Sequence, residues 1–143
     1  MIKHSALDHQ FVRVIPETLV PGQLYVAMDY GMAVHSCACG CGAEVTTPLG
    51  PTDWSIIYDG ETVTLHPSVG NWNLPCRSHY VIRRGKVIEA PPWTPEQVSA
   101  ERARDAKAKA DHYSIVSDPS SAASPAPAVS GWRRLLRLLI SRI

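Results

Sequence analysis

The stretch "HSCACGCG" constrains this chain more than any other. Cys37, Cys39 and Cys41 stand at alternate positions, with His35 two places ahead. The fourth and last cysteine, Cys76, lies in "NLPCRSHYVI", three residues before His79. Thiols this close in sequence are awkward disulfide partners for one another. In a reducing compartment such clusters are metal ligands more often than disulfides. Zinc takes four thiolate or imidazole ligands in a tetrahedron, commonly two from a tight glycine turn and two from elsewhere in the chain. Gly40 and Gly42 suit such a turn, because they can take positive φ and aim backbone amides at sulfur. The fold must then bring residues 37–41 and 76–79 together.

Three ligand sets fit that requirement. Cys37, Cys39, Cys41 and Cys76 can close a structural site and leave His35 and His79 free. Cys39, Cys41, Cys76 and His79 can do the same, leaving His35 and Cys37 over. A third set keeps one position open for water, which makes the metal catalytic. Sulfur-rich sites are more often closed, so the four cysteines are the expected ligands and Zn2+ the expected ion.

Around these clusters the chain reads as strands. "FVRVIP", "QLYVAM", "MAVHSC", "EVTTPL", "WSIIYD", "TVTLHP" and "YVIRRGKVIEA" are short runs rich in β-branched and aromatic residues. Asp59-Gly60 reads as a two-residue hairpin turn and Arg84-Gly85 as a weaker one. The expected fold is mainly β: a small antiparallel zinc-stapled domain over residues 10–92, followed by one α-helix and a short amphipathic tail helix. Thr94, Pro95 and Gln97 make a capping-box start for a solvated helix over 93–113. Residues 114–131 read as a disordered Pro/Ala/Ser linker.

Residues 132–143, "WRRLLRLLISRI", are a basic amphipathic element with four arginines and no acid. The other 131 residues carry ten basic and thirteen acidic groups, so the formal charge of +1 hides an asymmetry. The tail is expected to bind an anionic membrane surface or a partner groove, or to fold back on its own domain. The β unit lacks a basic patch with interleaved aromatics, so no nucleic acid is expected. The start "MIKHSALDHQ" has no apolar core of a signal peptide, and no run of about 18 apolar residues occurs. The expected location is the cytoplasm, with peripheral membrane attachment through 132–143.

"TLHPSVGNWNLPCRSHY" holds the remaining reactive groups. Ser68 follows a proline on a sharp turn and can act as nucleophile if a histidine lies within hydrogen-bond reach. His79, His66 and His35 are the candidate bases. Backbone amides around Gly70, or the side chain of Asn71, can hold an oxyanion. The structural alternatives are plain: Ser68 capping a turn, Asn71 accepting a left-handed conformation, His79 as metal ligand or packed ring. Trp54, Trp72 and Trp93 read as core.

"AVHSCACGCG", the tryptophan in "DWSIIYDG", "LHPSVGNW" and "PCRSHYVI" together resemble a family of short bacterial and phage proteins, β-rich and metal-binding, over about residues 10–92. Some members are encoded beside bacterial ubiquitin-like proteins and their conjugation enzymes. The resemblance marks His35, Cys37, Cys39, Cys41, Ser68, Asn71, Cys76, Ser78 and His79. It implies a small zinc-containing hydrolase, a peptidase processing a ubiquitin-like protein, with Ser68 as nucleophile, His79 or His35 as base and Asn71 at the oxyanion. The alternative is a non-catalytic zinc-binding interaction module. A ubiquitin-like protein or its conjugation enzymes are the implied partners.

Overall fold

A computed structural model describes residues 1–116. Residues Met1–Lys109 form one compact unit. The expected linker from 117 onward and the tail 132–143 lie outside the described residues.

Eight strands form two four-stranded sheets. The first contains β1 (Asp8–Phe11), β2 (Gln23–Ala27), β3 (Met32–Ser36) and β4 (Glu44–Pro48), side by side in that order. The second contains β5 (Ser55–Tyr58), β6 (Val63–Gly70), β7 (His79–Arg83) and β8 (Lys86–Glu89), also in chain order. All neighbours are antiparallel except β1 and β2, which run parallel. The architecture is thus mainly β, as the strand-rich runs imply. The first strand departs from expectation: it covers Asp8–Phe11, and "FVRVIP" contributes only its leading phenylalanine.

The alternation of β4 is legible in its burial, with Val45 and Thr47 inside and their neighbours exposed. One core cluster joins the sheets: Leu24, Val26, Ala33 and Val45 from the first, Val63, Leu65, Tyr80 and Ile82 from the second. Isolated bridges at Ala6–Lys86 and Leu49–Trp54 also connect the two halves.

The two hairpins of the second sheet reverse their expected ranking. Tyr58 pairs with Val63, so Asp59–Thr62 is a four-residue loop and not a two-residue turn. Asp59 organises it by accepting the amides of Glu61 and Thr62, at 3.0 and 2.6 Å, and the Thr62 hydroxyl at 2.8 Å. Those bonds hold its carboxyl down at about 2. Arg83 pairs with Lys86, so Arg84-Gly85 is the tight turn. Both of its residues have positive φ, 48° and 70°, as a type I′ turn demands.

The α-helix, α1 (Pro95–Val116), opens on a reciprocal capping box. Thr94 N–H donates to Gln97 Oε1 at 2.9 Å, and Gln97 N–H to Thr94 Oγ1 at 3.3 Å. Val98 is its buried apolar anchor. The helix reaches three residues into the segment expected as linker. No helix among the described residues is long and apolar enough to cross a membrane.

Candidate active site and metal centre

The β6–β7 pair carries both candidate centres. Its register slips between Leu65, opposite Ile82, and Val69, opposite Tyr80. His66, Pro67 and Ser68 therefore face the single residue Val81. Proline cannot donate to a ladder, so a sheet accommodates it at such a bulge. The bulge carries Ser68, and the ladder resumes at Val69 and continues with Gly70 opposite His79. Ser68 and His79 thus meet across adjacent strands, with Ser68 Oγ 2.9 Å from His79 Nε2. The other ring nitrogen, Nδ1, lies 2.7 Å from the carbonyl oxygen of Pro91. His79 is 7% exposed and Ser68 is half-buried.

The pair lines a cavity of about 290 Å³. Trp54, Gly70, Trp72 and Trp93 form much of its wall, and α1 adds Val98, Glu101, Arg102, Asp105 and Lys109. Trp72 and Trp93 stack at 5.5 Å with planes 17° apart, and both pack against the His79 ring, at 5.0 and 5.2 Å. Lys109 pairs with Asp53 at 2.7 Å, and Arg102 donates to Asn73 at 2.6 Å, so the helix is tied to the loops before β5 and after β6 along this wall. Of the three tryptophans expected as core, Trp54 packs against the core cluster, and all three also wall the cavity.

The thiols gather at the end of β3. Cys37, Cys39, Cys41 and Cys76 place their Sγ atoms within 4.8 Å of one another. Cys37 Sγ lies 3.4 Å from Cys39 Sγ and 4.0 Å from Cys76 Sγ. Tetrahedral thiolates at metal–sulfur distances of about 2.3 Å stand about 3.8 Å apart. The four side chains therefore fit one metal ion. Gly40 and Gly42 take φ of 82° and 80°, which permits the turn between the ligands. Burial opposes ionisation of Cys76, but hydrogen bonds from Ser78 and from Cys39 and Cys41 bring it down to about 7. Burial, then the bond to Cys37, pushes Cys39 up to about 12. A divalent cation favours the thiolate form of every ligand and removes that conflict.

Behind the sulfurs runs a buried polar chain. Ser78 Oγ contacts Cys37 Sγ at 3.2 Å and Cys76 Sγ at 3.5 Å. Asn71 Nδ2 donates to Ser78 Oγ at 2.8 Å and sits 3.4 Å from the Tyr80 hydroxyl and 3.6 Å from Cys37 Sγ. His35 Nε2 meets that hydroxyl at 2.8 Å. Burial lowers His35 to about 4, so the ring is neutral at physiological pH. Of the candidates, the structure brings together Ser68 and His79, and separately the four cysteines with Ser78. It places His35 and Asn71 in the polar chain; neither lines the cavity. His66 is exposed on the bulge. His79 spends both nitrogens on Ser68 and Pro91, which leaves none for the ligand set that included it.

Sequence reasoning missed the partner on the far side of His79. Every residue has a carbonyl, so no residue type marks the one at Pro91. The available signal was the Pro91-Pro92 pair itself, which stiffens the backbone just after β8.

The model of a family described as "Bacterial ubiquitination-like system serine protease (BubE)" matches residues 11–90, more than half of the chain. No curated protein and no solved structure matches it.

Proposed function

The chain belongs to the family of bacterial ubiquitination-like system serine proteases (BubE), and from that premise we propose that it is a serine peptidase with Ser68 as nucleophile, His79 as general base and a structural metal beside them. The observation that carries the reading is the continuous contact from Ser68 Oγ to His79 Nε2, with His79 Nδ1 on a main-chain oxygen. A serine hydroxyl is a weak nucleophile until a base accepts its proton. Here Ser68 Oγ bonds to the substrate carbonyl carbon as its proton passes to His79 Nε2. The carbon–nitrogen bond then breaks, and His79 returns that proton to the departing amine. Water then bonds to the acyl carbon as its proton passes to His79 Nε2; the bond from that carbon to Ser68 Oγ breaks, and His79 returns the proton to Oγ. The cavity beside the pair, walled in part by three indoles, gives the substrate a place to lie against the reacting atoms.

The ion we assign to the four cysteines is Zn2+, because an all-thiolate tetrahedron is its usual structural site. Four protein ligands leave no open position, so its contribution is to hold residues 37–41 and 76–78 in place. Asn71, His35 and Tyr80 then support that cluster from beneath. This reassigns the two candidates for base and oxyanion that face away from the cavity: the amide hydrogens of Asn71 are directed at Ser78 and its neighbours, and His35 is directed at Tyr80. The substrate class we infer from the family is a ubiquitin-like protein or its conjugate.

A fluorophosphonate that reacts with activated serines tests this directly. On the metal-loaded full chain, one adduct on Ser68, abolished in His79→Ala, is the expected result. No adduct on a folded, metal-loaded chain would leave the non-catalytic binding module as the better reading.

A further inference from the structure

We propose that the third member of this catalytic relay is the main-chain carbonyl of Pro91, and that the strap Pro91-Pro92-Trp93-Thr94 is its positioning element. The proposal rests on the assignment of Ser68 and His79 above. A carbonyl oxygen only accepts hydrogen bonds, so at 2.7 Å it requires the proton on His79 Nδ1. A neutral ring protonated there leaves a lone pair on Nε2, the atom that faces Ser68 Oγ at 2.9 Å. In the familiar serine–histidine–aspartate arrangement a buried carboxylate selects that tautomer and also stabilises the charged ring. Here the dipole of a carbonyl does the selecting.

The sequence explains how a backbone group can aim so well. The ring of Pro91 fixes its own φ, and Pro92 confines Pro91 to extended conformations. Both soft dihedrals of Pro91 are therefore restricted before the chain folds, and directing its carbonyl costs little further entropy. The strap is also fastened on both sides. Ala90 N–H donates to the His79 carbonyl at 2.9 Å, so consecutive residues bond the backbone and the ring of one histidine. Trp93 stacks on Trp72 and closes over the ring. The capping box at Thr94 and buried Val98 then join the strap to α1. The matched family span ends at residue 90, so the orienting carbonyl belongs to the first residue beyond it.

The test uses the full metal-loaded chain, and fluorophosphonate is the probe. The double variant P91G/P92G keeps the carbonyl and frees its dihedrals. We expect adduct formation at Ser68 to slow about tenfold to a hundredfold, as for a catalytic group displaced by about 1 Å. Metal content should not change, and P91G alone should fall between. Long-range proton–nitrogen NMR supplies a second readout. Native His79 should hold its proton on Nδ1, and P91G/P92G should populate both tautomers. An unchanged labelling rate in the double variant overturns the proposal. So does a native His79 protonated on Nε2, a measurement that stands even if the variant fails to fold. Failure of the underlying assignment looks different: the native chain then forms no Ser68 adduct, whatever its tautomer.

Discussion

Cys76 and His79 stand three residues apart at the entry to β7, and they belong to centres held by opposite means. The sulfur cluster is built from four like groups that crowd one another, with Cys37 fully buried and Cys41 exposed. A cation bound there makes the crowding favourable. The Ser68–His79 pair is built from unlike groups, with the ring held by Ser68 on one nitrogen and by the Pro91 carbonyl on the other, and packed against two indoles. Ser78 couples the two: its hydroxyl touches two sulfurs, and its carbonyl accepts the Asn71 amide at 2.9 Å, one residue before His79. A change at the sulfurs should therefore reach the histidine, and a change at the serine should not reach the sulfurs.

The largest expected effect breaks the comparison from one side only. Ser68→Ala should lower peptidase turnover by roughly 10⁴-fold or more, as removing a serine nucleophile generally does. Bound metal, measured by native mass spectrometry, and melting temperature should match the parent chain. Turnover that survives the substitution removes Ser68 from the mechanism.

Cys37→Ala works from the other side. It deletes the buried ligand and leaves Ser78 Oγ and Asn71 Nδ2 short of a partner. Binding of a structural metal is linked to folding, so several kcal/mol of stability should disappear with it. Denaturant titration with metal analysis should show weaker metal retention, an earlier midpoint and loss of Ser68 labelling together. Labelling retained at the parent rate on a metal-free Cys37→Ala chain would separate the two centres that Ser78 is held to couple.

The two centres also differ in how far the residues announce them. Cysteine is scarce, so three thiols at alternate positions and a fourth three residues before His79 already point to one cluster in the sequence. Serine and histidine are common, and their roles depend on which side of a strand they face. The bulge over 66–68 decides that for Ser68, and only the β6–β7 register reveals it. His35 and Asn71 looked equally reactive in the sequence, and tertiary burial put them under the cluster. Among the turns, Asp59-Gly60 failed as a two-residue signal because the Asp59 carboxylate gathers three donors across a longer loop. Arg84-Gly85 met the backbone requirement with only one glycine.

Gly70→Ala should have a smaller effect on the aromatic side. A Cβ at residue 70 would stand 2.4 to 2.9 Å from the Trp72 indole, too close without a shift. Trp72 touches both Trp93 and His79, so moving it loosens the clamp on the ring. We expect a cost of about 1–3 kcal/mol, as for an overpacked core, and slower Ser68 labelling at unchanged metal content. A loss of metal would show that the aromatic wall also supports the sulfurs.

The smallest effect tests whether the loop between β5 and β6 matters to either centre. Asp59→Ala removes the acceptor of three loop hydrogen bonds at a fully exposed site, so only a slight drop in melting temperature is expected. Its pH dependence has a definite sign. Its hydrogen bonds hold the native carboxyl down at about 2, against an ordinary value of 3.8, so the unfolded state binds more protons between those values. The stability contributed by Asp59 is present above pH 3.8 and is lost as pH falls toward 2. The difference between parent and variant should hold steady from neutral pH down to about 4 and narrow below it, as read by thermal melts. Ser68 labelling and metal content should be the same in both chains at pH 7. A shift in either would mean that the hairpin loop helps set the β6 bulge, and that the serine side of the pair is less local than its contacts indicate.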